Sequence, residues 1–157
     1  MTMKKLLALL VLSTSLFSVS FSQNTELGII QKMYGVEKRA LVTDFMKLDD
    51  SQKDAFWDVY EAYEAERKAL GAQRVALLEK YAEQYDSLTE EQTDADMKEA
   101  LVMSLKREKL RKKYYAKMKK ATSAKTAAKF IQLETYLSTA IRFQILDNIP
   151  FVGEMDK

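Results

Sequence analysis

Paired carboxylates are the residues of this chain whose spacing is best suited to metal binding or proton transfer. Asp54 with Asp58 and Glu61 with Glu64 stand at helical intervals, so each pair would share one face of a helix. Two such carboxylates could bind calcium or serve as an acid and a base. The flanking sequence lacks the oxygen-rich, glycine-containing loop that calcium sites favour. We therefore favour the alternative, in which these acids form a solvated helix face.

The chain contains no histidine and no cysteine. These absences exclude imidazole bases, Ser-His and Cys-His nucleophile pairs, and metal sites built on histidine or cysteine. The sequence also has no phosphate-cradling glycine loop, no hydrolase elbow and no dinucleotide fingerprint. We predict a non-enzymatic protein with no catalytic residue, no metal site and no cofactor.

Basic residues fill nine of the fifteen positions from Lys106 to Lys120, and Glu108 is the one acid among them. A run of this kind could bind anionic partners such as acidic unfolded polypeptides, lipid phosphates or cell-envelope polyanions. Alternatively it is a solvated helix face partly paired with acids of a neighbouring helix, and each exposed pair then contributes at most about 1 kcal/mol. We favour the solvated face, although the run is too dense for all its bases to face one neighbour.

Tyrosines and methionines recur along the same part of the chain. Most are expected in the core and in the seam between helices. Some could instead form an adaptable surface for several partners, since methionine repacks easily and tyrosine combines an apolar body with a polar tip. Our candidates for contact with a client protein are Tyr114, Tyr115, Met118, Arg111 and Lys112.

The spacing of apolar residues predicts four helical segments, at about 25–47, 50–86, 90–120 and 124–148. Few glycines interrupt them, and Gly71 is the expected site of a bend in the second. The expected apolar stripe of the third segment consists of Met97, Leu101, Leu105, Leu110, Tyr114 and Met118. The fourth has a wide apolar face of the kind that packs into a bundle.

The second and third segments are joined by residues 87–89 alone. A connection this short makes two helices antiparallel neighbours. The acidic half of the second segment would then lie beside the basic half of the third. The predicted fold is all-α: a long antiparallel helical hairpin with flanking N- and C-terminal helices.

Two short motifs, LDDSQ and LTEEQ, stand at the starts of the two long segments. Their shared positions are Leu48, Asp49, Gln52, Leu88, Thr89 and Gln92. The residue after each leucine is a good N-cap, and the glutamine three positions later can reach back to the cap's backbone N–H. Both motifs therefore predict a capping box.

The first 22 residues have the pattern of an export signal. Lys4 and Lys5 precede an apolar, serine-rich stretch, and residues 20–22 fit a cleavage site. The alternative, a membrane anchor, is less favoured because the apolar stretch is too short to span a membrane. No membrane span is therefore expected in the chain after cleavage. Residues 23–157 would form a single helical domain with 23 basic and 23 acidic residues. This balance argues against nucleic acid as a partner.

The export signal, the helical plan and the two motifs resemble the Spy and CpxP family of small periplasmic helical proteins. LTEEQ matches the family's LTxxQ motif, whereas LDDSQ has Asp49 in place of threonine. The resemblance implies an all-helical protein that forms a cradle-shaped homodimer and an ATP-independent holdase for unfolded envelope proteins. The missing histidines do not fit the family's metal-sensing branch. The alternative is an exported structural or regulatory adaptor that docks one specific envelope partner.

Overall fold

The computed structural model describes residues 36–147 and 149–152. Over these residues the chain is all-α, and its helices are α1 (Lys38–Met46), α2 (Asp50–Gln84), α3 (Glu90–Ala121) and α4 (Ala124–Leu146). The long helices α2 and α3 pack antiparallel, and α1 and α4 flank them. The predicted fold class is confirmed. The predicted signal segment and the first part of the predicted N-terminal helix lie outside the described residues.

The hairpin turn consists of one short 3-10 helix, Tyr85–Ser87, followed by Leu88 and Thr89. Thr89 Oγ1 accepts a hydrogen bond from the backbone N–H of Gln92 at 3.2 Å, and Gln92 Oε1 accepts from the backbone N–H of Thr89 at 2.9 Å. This reciprocal capping box satisfies two backbone donors that the helix start would otherwise leave unpaired. The capping box fixes the start of α3 directly after the turn, where the chain reverses its direction.

The start of α2 differs from the prediction. Asp49 occupies the N-cap position, but its side chain accepts no hydrogen bond from the first turn. Gln52 does not reach back to it, because Gln52 Oε1 instead accepts from Thr126 Oγ1 of α4 at 2.9 Å. Ser123 caps α4 by accepting from the backbone N–H of Thr126 at 3.1 Å. The glutamine of the first motif thus joins the start of α2 to the start of α4.

We expect Thr89→Ala to lower the free energy of unfolding by about 1 kcal/mol, the usual result of losing an N-cap. Asp49→Ala is the matched control, since the Asp49 side chain makes no capping hydrogen bond, and its effect should be clearly smaller. Urea denaturation of both variants measures the difference. Equal losses from the two variants would contradict the distinction between the two helix starts.

The hydrophobic core lies at the end of the hairpin remote from the turn. Its buried members are Val42, Met46, Phe56, Tyr60, Tyr63, Leu110, Tyr114, Met118, Ala127, Phe130, Leu133 and Leu137. Phe130 is central, with ring centroids 5.9 Å from Phe56, 6.1 Å from Tyr60 and 5.1 Å from Tyr63. These edge-on contacts are a favourable arrangement for aromatic rings.

Beyond this core, fewer apolar residues are buried toward the turn. In the described part of the chain they are Leu77, Met103 and Ile141. An ion pair from Lys80 Nζ to Asp96 Oδ1, at 2.5 Å, also joins α2 to α3 there. The turn half of the hairpin is therefore held by fewer buried contacts than the other half. None of the described helices is long and apolar enough to cross a membrane.

Candidate functional site

Helix α3 presents two unlike faces. Its inner face packs Met103, Leu110, Tyr114 and Met118 into the protein. These residues recur at intervals of seven and four, so they share one side of the helix. The polar first part of α3 is also attached to α2, because Asp96 is buried and forms an ion pair with Lys80.

The opposite side of α3 exposes an apolar stripe. Met97, Leu101 and Leu105 are 54%, 59% and 61% exposed. They stand four residues apart and lie one above the other along the helix. The sequence pattern places all three on one apolar stripe with Leu110, Tyr114 and Met118, whereas the structure buries only those last three. The sequence signal for two separate faces is the step of five residues from Leu105 to Leu110. This step breaks the three- and four-residue spacing of a single helix face, so the residues before it lie on a different side of α3 from those after it.

Lysines continue this side of α3 toward its C-terminus. Lys109, Lys112 and Lys119 are exposed, and Tyr115 lies among them with 38% of its surface exposed. No acid of the described chain lies within ion-pair distance of these three lysines. We call Met97, Leu101, Leu105, Lys109, Lys112, Tyr115 and Lys119 the outer face of α3.

The candidate client-contact residues fall into two groups. Tyr115 and Lys112 belong to the outer face, whereas Tyr114 and Met118 are fully buried in the core. Tyr114 and Met118 lie four and eight residues after Leu110, on the same buried side of α3, so a client could not contact them. Arg111 is mostly buried, forms an ion pair with Glu108, and donates to Ser138 Oγ at 3.2 Å. It braces α3 against α4 rather than facing outward.

Tyr114 also helps to hold the hairpin together. Its hydroxyl donates to Glu66 Oε1 of α2 at 2.7 Å, and Lys113 Nζ lies 2.6 Å from the same carboxylate oxygen. Burial and the nearby carboxylate raise the pKa of the Tyr114 hydroxyl to about 12. This cluster is the point at which the basic stretch of α3 meets an acid of α2.

Lys113 forms an ion pair with Glu66, which joins the acidic stretch 44–66 to the basic stretch 106–120. Glu61 pairs instead with Arg39 of α1. Lys109, Lys112 and Lys119 of the outer face have no ion-pair partner among the described residues, so they remain open to other partners.

A group of charged side chains is buried between α1, α2 and α4. Lys38 Nζ lies 2.6 Å from Glu64 Oε1 and 2.9 Å from a carboxylate oxygen of Glu134. Arg67 Nε donates to Glu64 Oε1 at 2.7 Å. Lys38, Glu64 and Glu134 are buried, so Glu64 does not belong to the solvated face that its spacing with Glu61 had indicated.

The ionisation of this group follows from its contacts. Burial by itself raises the pKa of Glu64, but the guanidinium of Arg67 and the ammonium of Lys38 outweigh burial and hold the pKa below its ordinary value. Burial, reinforced by the carboxylate of Glu134, raises the pKa of Tyr63. Glu64 is thus held as a carboxylate and Tyr63 as a neutral phenol. Lys38 pairs with both Glu64 and Glu134, and Arg67 pairs with Glu64, so the group joins α1 to α2 and α4. One carboxylate oxygen of Glu134 is buried without a hydrogen-bond partner.

The other carboxylate pair considered for chemistry, Asp54 with Asp58, is exposed on α2. Among the described residues, no three acidic side chains come together in a way that could hold a metal ion. Comparisons of this chain with protein-family models, curated proteins and solved structures found no match. The outer face of α3 combines exposed apolar side chains with exposed lysines, which is a combination suited to binding.

Proposed function

We propose that this protein is a non-enzymatic binding protein that holds partly unfolded polypeptides on the outer face of α3. The observation that carries the proposal is the stripe formed by Met97, Leu101 and Leu105, which is exposed and continues into lysines on the same side of the helix. Contiguous exposed apolar surface rimmed by polar groups is typical of interaction sites. We also propose that the predicted export signal directs this activity to the cell envelope.

The two parts of the outer face would have different tasks. The apolar stripe would bury exposed apolar side chains of a client, which supplies affinity without demanding a particular sequence. Lys109, Lys112 and Lys119 would attract acidic segments and speed the encounter. Tyr115 lies between these lysines and can contact apolar and polar groups alike. Binding through such a surface can be transient, and it requires no energy from ATP hydrolysis.

The decisive experiment is light scattering of two unrelated aggregating proteins, with and without the purified protein and without ATP. We expect suppression of both at near-stoichiometric amounts. Suppression of neither would contradict the holdase proposal. Suppression of only one would favour the adaptor that docks a single partner.

The double substitution Leu101→Gln with Leu105→Gln should raise the amount of protein needed for half-suppression by about 10-fold or more. Burying one leucine contributes about 1.5–3 kcal/mol, and roughly 1.4 kcal/mol corresponds to a tenfold change in affinity. The matched control is Phe143→Gln, which removes an exposed apolar side chain from α4. Equal loss from the control would show that general apolar surface, and not the outer face, is responsible.

One observation favours the adaptor as a second candidate function. A groove of about 470 Å³ between α1 and α4 is lined by five apolar or aromatic residues and by the polar Asp44 and Gln132; the five are Leu41, Phe45, Leu133, Tyr136 and Leu137. An amphipathic helix of a specific partner could dock in such a groove. Phe45→Gln with Tyr136→Gln would then abolish capture of that partner, while the outer-face variant would leave it intact.

A further inference from the structure

The chain leaves α4 at its C-terminal end and crosses to the end of α2. Helix α4 ends at Leu146, whose carbonyl oxygen accepts a hydrogen bond from the backbone N–H of Ile149 at 3.3 Å. Pro150 follows, and it cannot continue a helix because it lacks a backbone N–H. Residues 149–152 therefore lie outside α4, and we call them the C-terminal strap.

Two tyrosines at the end of α2 hold the C-terminal strap by its main chain. The Tyr81 hydroxyl donates to the carbonyl oxygen of Pro150 at 3.1 Å, and the Tyr85 hydroxyl donates to that of Phe151 at 2.7 Å. The two tyrosine rings meet edge-on with their centroids 5.7 Å apart, so they lie side by side. Their hydroxyl groups therefore bind two consecutive carbonyl groups of one polypeptide segment.

The last side chains of the C-terminal strap remain largely exposed. Phe151 is 81% exposed and Val152 is 57% exposed, so these two residues bury little apolar surface. The atoms that the tyrosines bind are main-chain carbonyl oxygens, which every residue of a polypeptide carries. Because each hydrogen bond contributes only a small net free energy, a contact of this kind can open and close while the helices stay folded.

We infer that Tyr81 and Tyr85 form a binding site for the main chain of a non-helical polypeptide, which the C-terminal strap closes and which a segment of another chain can occupy in its place. A segment with a proline fits best, because proline keeps itself and the residue before it extended. The strap has the advantage of a high effective concentration, since it is attached to the same chain. The site uses no residue of the outer face of α3, so it goes beyond the proposed holdase function and either can fail without the other.

Two variants of the full chain should change peptide binding in opposite directions. The probe is a dye-labelled peptide with the sequence of residues 147–153, DNIPFVG, and fluorescence anisotropy measures its binding. Pro150→Gly makes the strap more costly to order and so opens the site, and we expect the peptide to bind about 5-fold more tightly. Tyr81→Phe with Tyr85→Phe also frees the strap but removes both donors, and we expect binding about 10-fold weaker than in the original protein.

The matched control is Tyr136→Phe, which removes the hydroxyl of an exposed tyrosine on α4 and should leave peptide binding unchanged. The chain contains no cysteine, so Val152→Cys provides a single site for a nitroxide label on the strap. The mobility of this label should rise in both the Pro150 variant and the Tyr81 and Tyr85 variant. A mobile strap without tighter peptide binding in the Pro150 variant would overturn the inference, and so would equal weakening by the control.

Discussion

Replacing Phe130 with alanine is expected to lower the free energy of unfolding by about 3–5 kcal/mol. Phe130 is 0% exposed and touches the rings of Phe56, Tyr60 and Tyr63. Alanine would remove these contacts and leave a cavity at the place where α2 and α4 meet, because the neighbouring rings are fixed on α2 and can collapse into the cavity only partly. Urea denaturation measures the loss as a lower midpoint concentration, provided that the m-value stays unchanged.

The control for this substitution lies on the same helix. Phe143 is 65% exposed, so Phe143→Ala removes the same side chain from a position that contributes little to the core. We expect its effect to stay within about 0.5 kcal/mol. If both alanine variants lost comparable stability, the centre of the core would not lie at Phe130.

Replacing Lys38 with methionine is expected to lower the free energy of unfolding by about 3–5 kcal/mol, because the substitution leaves buried carboxylates without their counter-charge. Methionine keeps an unbranched apolar stem, which limits the change in packing. Glu64 keeps its bond to Arg67, so the charge left uncompensated is chiefly that of Glu134. Thermal and urea denaturation at neutral pH measure the loss.

The adjacent residue supplies the matched control. Arg39 also pairs with a glutamate of α2, Glu61, but both side chains of that pair are more than half exposed. Arg39→Met removes the same charge from the same helix and should change stability by at most about 1 kcal/mol. A Lys38 variant no less stable than the Arg39 variant would contradict the anchoring role of the buried group.

The pH dependence of unfolding distinguishes the buried group from ordinary packing. The folded pKa of Glu64 is lowered, so its contribution to stability is present above its unfolded pKa and is lost as pH falls through the folded pKa. In Lys38→Met one of the two cations that lower the pKa of Glu64 is missing, so this pKa should lie closer to its unfolded value and less stability should be lost on acidification. The deficit of this variant relative to the original protein should therefore shrink on acidification.

The hairpin was predictable because local signals agree over its whole length. Residues 50–86 and 90–120 carry helical spacing without strong breakers, and only residues 87–89 lie between them. The capping residues Thr89 and Gln92 then mark where α3 begins. Each of these features acts within a few residues of the chain, and so the sequence displays it directly.

The partners of buried charges were not predictable in the same way. Lys38 stands 26 residues from Glu64 and 96 from Glu134, and nothing local distinguishes these three from solvated charges. The two faces of α3 posed a different problem, since Leu105 and Leu110 look equally apolar in the sequence. The five-residue step between them indicates that they lie on different sides of the helix, but only the packing of α2 and α4 decides that Leu110 is the buried one.

Because the core lies at one end of the hairpin, local unfolding should begin at the other end, beside the turn. Helix ends beside the turn at Tyr85–Ser87 are held by few buried contacts, so they can separate locally while the aromatic core stays intact. Met97, Leu101 and Leu105 lie on this less stable half of α3. The exposed apolar stripe thus lies on the part of the protein that can change shape at the lowest cost in free energy, which would let the proposed binding surface adapt to different client segments.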